Sequence, residues 1–164
     1  MLSYRAMAAA VYPAGCLLIP DGDVADPLLS IVVPALDERI TIAAFVEWCQ
    51  AGLARAGISG EILIIDSSTD ETPDIALAHG ARVLRTPKRG LGRAYIDAIP
   101  YIRGKYVLMG DADCTYDFRE LSGFVQQFRA GREYPMAAPP THPGSDRTPW
   151  HPRIPGQTKA AAAW

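Results

Sequence analysis

Histidine and cysteine are scarce: three of each in 164 residues. Cys16, Cys49 and Cys114 are odd in number and follow no regular spacing, so they do not read as a disulfide framework. No Cys/His cluster has zinc spacing. This usage fits a reducing cytoplasm. An excess of basic charge is also missing. Sixteen Lys and Arg face eighteen Asp and Glu, for a net charge of −2, which argues against a nucleic-acid partner. No stretch reaches the roughly 18 to 20 apolar residues that span a membrane. What is present is a 49% hydrophobic composition, enough for one core. One domain is the default at this length.

The N-terminus loosely imitates a signal peptide, with Arg5, then Ala6 to Val11, then Leu17-Leu18-Ile19. Ala14-Gly15-Cys16 resembles the end of a lipoprotein cleavage box, but Pro13 breaks the apolar run. Residues 1–27 are therefore expected to be a loosely ordered extension.

Organised sequence begins at Leu28. Leu29 to Val33 is β-branched and apolar, a buried strand expected to stop at Pro34. After the elbow Leu36-Asp37-Glu38-Arg39, residues Ile42, Phe45, Val46, Cys49 and Leu53 share one helical face, which makes Cys49 a core residue. Gly57 and Gly60 end that helix. Glu61 to Asp66 is a second strand. Thr72-Pro73 opens a short helix, since proline's missing N–H is not needed in a first turn. Arg82 to Leu84 is a third strand. A basic, glycine-containing loop, Thr86 to Gly92, leads into a helix with Leu91, Ala94, Tyr95, Ala98 and Ile99 on one face, ended or kinked by Pro100. Lys105 to Met109 is a fourth strand. Asp117 and Glu120 have the spacing of a capping box ahead of the stripe Phe118, Leu121, Phe124, Val125 and Phe128. Seven of the fourteen prolines fall in the last 31 residues. Residues 134–164 are read as a disordered tail without useful helix or strand.

Alternating strands and helices imply an α/β fold with a largely parallel sheet, whose ligands bind at the carboxyl ends of the strands. Asp37/Glu38, Asp66 and Asp111/Asp113 fall at those ends. Asp111-Ala112-Asp113 is the sharpest signal. Two carboxylates one residue apart can share Mg2+ or Mn2+, which favour few carboxylates plus phosphate oxygens; a solvated acidic turn is the plain alternative. Asp66 can accept hydrogen bonds from a base or ribose, with Ser67, Ser68 and Asp70 shaping the pocket, or these residues serve turn chemistry alone. Lys88, Gly90 and Gly92 belong to a loop at a helix start, where N–H groups favour phosphate; the alternative is a solvated charge run. A dinucleotide-type glycine motif is not met, because Tyr95 stands at the third glycine position.

Together these segments resemble family 2 glycosyltransferases of the GT-A fold, in particular the branch that makes dolichol- or polyprenyl-phosphate sugars. The likeness runs from Leu29 to about Arg132. It is carried by Ser30-Ile-Val-Val-Pro-Ala-Leu-Asp-Glu38, Ile64-Ile-Asp-Ser-Ser-Thr-Asp70, Arg89-Gly-Leu-Gly-Arg-Ala-Tyr95 and Tyr106-Val-Leu-Met-Gly-Asp-Ala-Asp113. The resemblance implies a Rossmann-like nucleotide-sugar-binding part over residues 28–133. Pro34 and Glu38 would line the nucleotide pocket, with Asp66 and Ser68 at the base or ribose. Lys88, Gly90 and Gly92 would lie near the phosphates. Asp111 and Asp113 would be the catalytic, metal-holding pair. The donor would be a UDP- or GDP-linked sugar, the acceptor a lipid phosphate at the membrane surface. The protein would be cytoplasmic or peripheral at the inner face of the membrane.

Two departures stand out. Asp37 replaces the family's usual Asn, and the turn after Asp66 is one residue shorter. Family members also continue with further strands and an acceptor site where the proline-rich tail stands, so the C-terminal part of the fold is expected to be missing. A non-catalytic nucleotide-binding fragment and an α/β interaction module are the alternative readings.

Overall fold

The computed structural model describes residues 13–131 and the backbone of 160–162. Six strands form one sheet in the order β1-β4-β3-β2-β5-β6. They are β1 (Leu17–Leu18), β2 (Leu29–Ala35), β3 (Gly60–Asp66), β4 (Arg82–Arg85), β5 (Tyr106–Met109) and β6 (Ala160–Ala162). All pairings are parallel except β1 on β4. The helices are α1 (Ile42–Ala56), α2 (Thr72–Ala78), α3 (Leu91–Ala98) and α4 (Ser122–Arg129).

Side chains alternate between the faces of a strand, and the sheet has two cores. Ile31, Val33, Ile62 and Ile64 pack with Phe45, Val46 and Cys49 of α1, Ala76 of α2 and Phe128 of α4. Val32, Leu63, Ile65 and Leu84 face the other way, onto Ala98, Ala94 and Tyr95 of α3. Phe45 is fully buried and meets Phe118 edge-on at 5.0 Å between centroids. Each such buried side chain stabilises the fold by roughly 1.5–3 kcal/mol, and truncating Phe45 to alanine would cost about 3–5 kcal/mol. Cys49 is fully buried, as its place on the helix face predicts, and burial pushes its thiol well above its ordinary range.

Four expectations need correction. Strand β2 does not stop at Pro34 but runs on to Ala35 beside β3. Its β5 neighbour pairs only as far as Val32 with Met109, so on that side no ladder needs the donor that Pro34 lacks. The segment before Leu28 is not loose where it is described. Leu17 and Leu18 close the β4 edge, and Asp23 joins a buried charge network. Residues 1–12, including most of the leader-like stretch, lie outside the described residues. The Asp117/Glu120 capping box does not form, because α4 starts only at Ser122. Asp117 instead pairs with Arg119 at 2.7 and 2.8 Å, and Glu120 reaches Arg55 at 3.0 Å. The apolar stripe itself holds, with Phe118, Leu121, Val125 and Phe128 buried. In the stretch read as a tail, Ala160–Ala162 is a strand parallel to β5; the rest of 134–164 lies outside the described residues.

The charge network sits at the amino ends of the strands. Glu61, at the start of β3, is buried. It accepts from Ser30 Oγ at 2.5 Å, Arg82 Nη1 at 2.7 Å, and the Arg103 N–H and Nε at 2.9 and 2.7 Å. Arg103 also grips Asp23 through two bonds of 2.8 and 2.9 Å. Burial alone would raise the Glu61 carboxyl, but the hydrogen bonds from Ser30, Arg103 and Arg82 outweigh it and hold the group below its ordinary value. The sequence reading missed this network. Its only trace there is a run of polar residues at strand starts.

Candidate functional site

The opposite edge of the sheet is open. Strand order reverses at β2, which has β3 on one side and β5 on the other, and such a switch point leaves a crevice at the carboxyl ends. A cleft of about 390 Å³ lies there. Pro34, Ala35, Leu36 and Glu38 form one part of its wall, Ile65 and Ser67 a second, Pro87 to Leu91 a third, and Asp111 to Asp113 a fourth.

Asp111 and Asp113 are exposed on either side of buried Ala112, and both line the cleft. Asp113 Oδ1 accepts the Thr115 N–H at 2.9 Å, and Cys114 adopts a left-handed φ of 61°. That tight turn fixes where the two carboxylates project. From the other side Tyr95 of α3 donates its hydroxyl to the Gly110 carbonyl at 3.2 Å. Burial, with the charge of Asp111 in addition, pushes the Tyr95 hydroxyl well above its ordinary value, so it remains a donor at neutral pH. Among the described residues no group of three or more His, Cys, Asp or Glu is gathered for a metal. Two carboxylates still fit a cation that takes its remaining ligands from phosphate and water.

The basic loop enters the cleft with Lys88, Arg89 and Gly90. Arg89 and Arg93 both converge on Asp97, each at 2.8 Å. Lys88 makes no ion pair among the described residues, which leaves it as the unpaired cation of the wall. Gly90 stands before the first turn of α3 at φ 91° and ψ 158°, a conformation only glycine adopts readily. Gly92 is exposed but lies outside the cleft lining.

Glu38 lines the cleft while its Oε2 accepts the Thr41 hydroxyl at 2.7 Å, so the start of α1 holds its side chain. Asp66 and Ser68, expected at the base or ribose, do not line the cleft. Asp66 is fully buried and paired with Arg85. Ser68 is 2% exposed. Ser67, Arg89 and Leu91 do reach the wall. The sequence signal for Ser67 was its place right after a strand-ending carboxylate.

The sequence pattern described as Glycosyl transferase family 2 matches residues 30–162. The chain belongs to that family. It is 48% identical over 115 residues to the low-salt glycan biosynthesis hexosyltransferase of Haloferax volcanii, an alignment covering 70% of this chain and 28% of that protein. It is 31% identical over 107 residues to a second Haloferax volcanii glycosyltransferase, covering 63% of this chain and 33% of that one. Among solved structures, mannosyl-3-phosphoglycerate synthase from Rubrobacter xylanophilus superposes with a TM-score of 0.59 at 28% identity, covering 68% of this chain and 40% of that one. The fold is that of the GT-A glycosyltransferases. The chain thus spans about a third or less of the length of these curated relatives.

Proposed function

We propose that the cleft binds a nucleoside diphosphate sugar, and that the sugar passes with inversion to an acceptor phosphate carried on a polyprenyl or dolichol lipid. The observation that carries this reading is the meeting of Asp111 and Asp113 with Lys88 and the Gly90 turn in one cleft at the strand-order switch. Acidic and basic walls facing each other suit a diphosphate that brings a divalent cation with it. Asp111 and Asp113 would hold Mg2+ or Mn2+, whose chemistry is to offset charge on a departing diphosphate. Lys88 and the N–H groups at the start of α3 would hold the phosphates. Pro34 and Glu38 would border the nucleoside. An acceptor phosphate is already anionic, so the main work left to the protein is orientation and charge stabilisation rather than proton removal. Among the described residues no helix is long and apolar enough to cross a membrane.

Calorimetric titration with UDP and GDP, with and without Mn2+, tests the reading. Metal-dependent binding of one nucleotide is expected, lost in Asp113→Ala. Metal dependence unchanged in that variant would sink the assignment of the acidic pair. Binding without sugar transfer in turnover assays would restrict this chain to a binding role.

A further inference from the structure

We propose that Tyr95 is a positioning residue that ties the acidic turn to the basic loop, so that the two charged walls of the cleft keep a fixed separation. This rests on the donor-site reading above and deepens it. Tyr95 does not line the cleft, whereas Leu91 and Ala94 of the same helix do. Its part is therefore to hold other groups and not to touch a ligand.

Three links run from one wall to the other. The first joins the loop to α3. Arg89, in the cleft wall, donates to Asp97 at 2.8 Å, and Arg93 reaches the same carboxylate at 2.8 Å. The second joins α3 to the sheet. Tyr95 packs, with Ala94 and Val107, against the core face formed by Val32, Leu63, Ile65 and Leu84. The third joins α3 to the acidic turn, through the Tyr95 hydroxyl and the Gly110 carbonyl.

That third link comes where the sheet stops. β5 pairs with β2 no further than Met109, and Gly110 is the next residue. The side-chain bond of Asp113 is local, to the Thr115 N–H. Among the described residues, Tyr95 is thus the side chain from another element that holds the backbone of 110–113. The bond is partly buried, so water competes for it less than at a surface. Gly90 and Tyr95 lie little more than one helical turn apart, and a hydrogen-bonded turn moves as one piece. A displacement of the loop therefore reaches Gly110. Phosphates at the loop and a cation at Asp111 and Asp113 would each find the opposite wall already placed, which is a coupling free energy between the two halves of the site.

Titration of wild type, Tyr95→Phe and Val107→Ala with UDP and GDP, with and without Mn2+, reads that coupling as the factor by which Mn2+ tightens the preferred nucleotide. Thermal melts run alongside. Tyr95→Phe keeps the ring in its core and removes only the hydroxyl. It is expected to melt close to wild type and to lose roughly three- to tenfold of the coupling, the equivalent of one neutral hydrogen bond. Val107→Ala, in the same core, is expected to melt lower with the coupling intact. Wild-type coupling in Tyr95→Phe would overturn the inference, and so would an equal loss in Val107→Ala, which would make the effect one of stability alone. If wild type shows no metal-dependent nucleotide binding, the donor-site reading has failed. Amide hydrogen exchange then reads the strut by itself: exchange over 111–113 should be faster in Tyr95→Phe, and exchange equal to wild type would overturn the positioning role as well.

Discussion

Gly110→Ala should damage the acidic turn through an aromatic ring that lies outside the cleft lining. A methyl at Gly110 would sit 2.5 Å from Cζ of Phe118 and 3.2 Å from Cε2, well inside contact distance. Phe118 cannot simply withdraw, because it is 3% exposed and packed edge-on against Phe45. Either the ring or the Gly110 backbone must shift. Gly110 is joined to Asp111, and its carbonyl accepts the Tyr95 hydroxyl at 3.2 Å. Overpacking of this kind costs about 1–3 kcal/mol. Phe118→Ala alone should cost about 3–5 kcal/mol. The double variant should cost less than the sum, by about the overpacking term, since removing the ring removes the clash. Urea unfolding of the four proteins measures the cycle. Mn2+ titration of Gly110→Ala should also show weaker binding, from displaced carboxylates. Strict additivity in the cycle would refute the steric account. Unchanged Mn2+ affinity in a destabilised Gly110→Ala would refute the link from ring to acidic turn.

Lys88→Ala should weaken nucleoside diphosphate binding by roughly tenfold, with a smaller loss at high salt, as expected for a partly screened charge-assisted bond. Arg93→Ala should do little, because Asp97 already holds Arg93; equal losses in the two variants would contradict this, and titration at two salt concentrations reads it. Acid should also loosen the amino end of the sheet. Glu61 and Asp23 are held below their ordinary values of 4.5 and 3.8, so the folded state binds fewer protons than the unfolded chain there. Their contribution to stability is complete above those values and fades as the pH falls below them. Glu61→Gln should flatten that part of the stability–pH curve, and an unchanged acid limb would argue against the network.

Much of this molecule is legible in one dimension because apolar periodicity and strand-end carboxylates are local signals. β2, β3 and β5 announce themselves as short apolar runs, and Asp111-Ala112-Asp113 follows one of them after Gly110. The parts that were not legible depend on partners far along the chain. The burial of Asp66 depends on Arg85, nineteen residues on, which arrives from the neighbouring strand to pair with it. Glu61 looks like an ordinary edge residue until Arg103 closes over it, 42 residues later. Asp117 and Glu120 have capping-box spacing, but arginines at 119 and 55 claim both side chains. Local rules could not foresee these competitions between a backbone N–H and a guanidinium.

The sheet divides its labour between its two ends. At the amino ends, buried charges lock β2, β3, β4 and the approach to β5 to one another, and a change there would cost folding. At the carboxyl ends, Ser67, Lys88 and Leu36 stand on the rim of an open cleft and carry little of the packing. Changes at the rim can therefore accumulate without unfolding the protein. A lineage built on this sheet could alter what its cleft accepts while its foundation stays fixed.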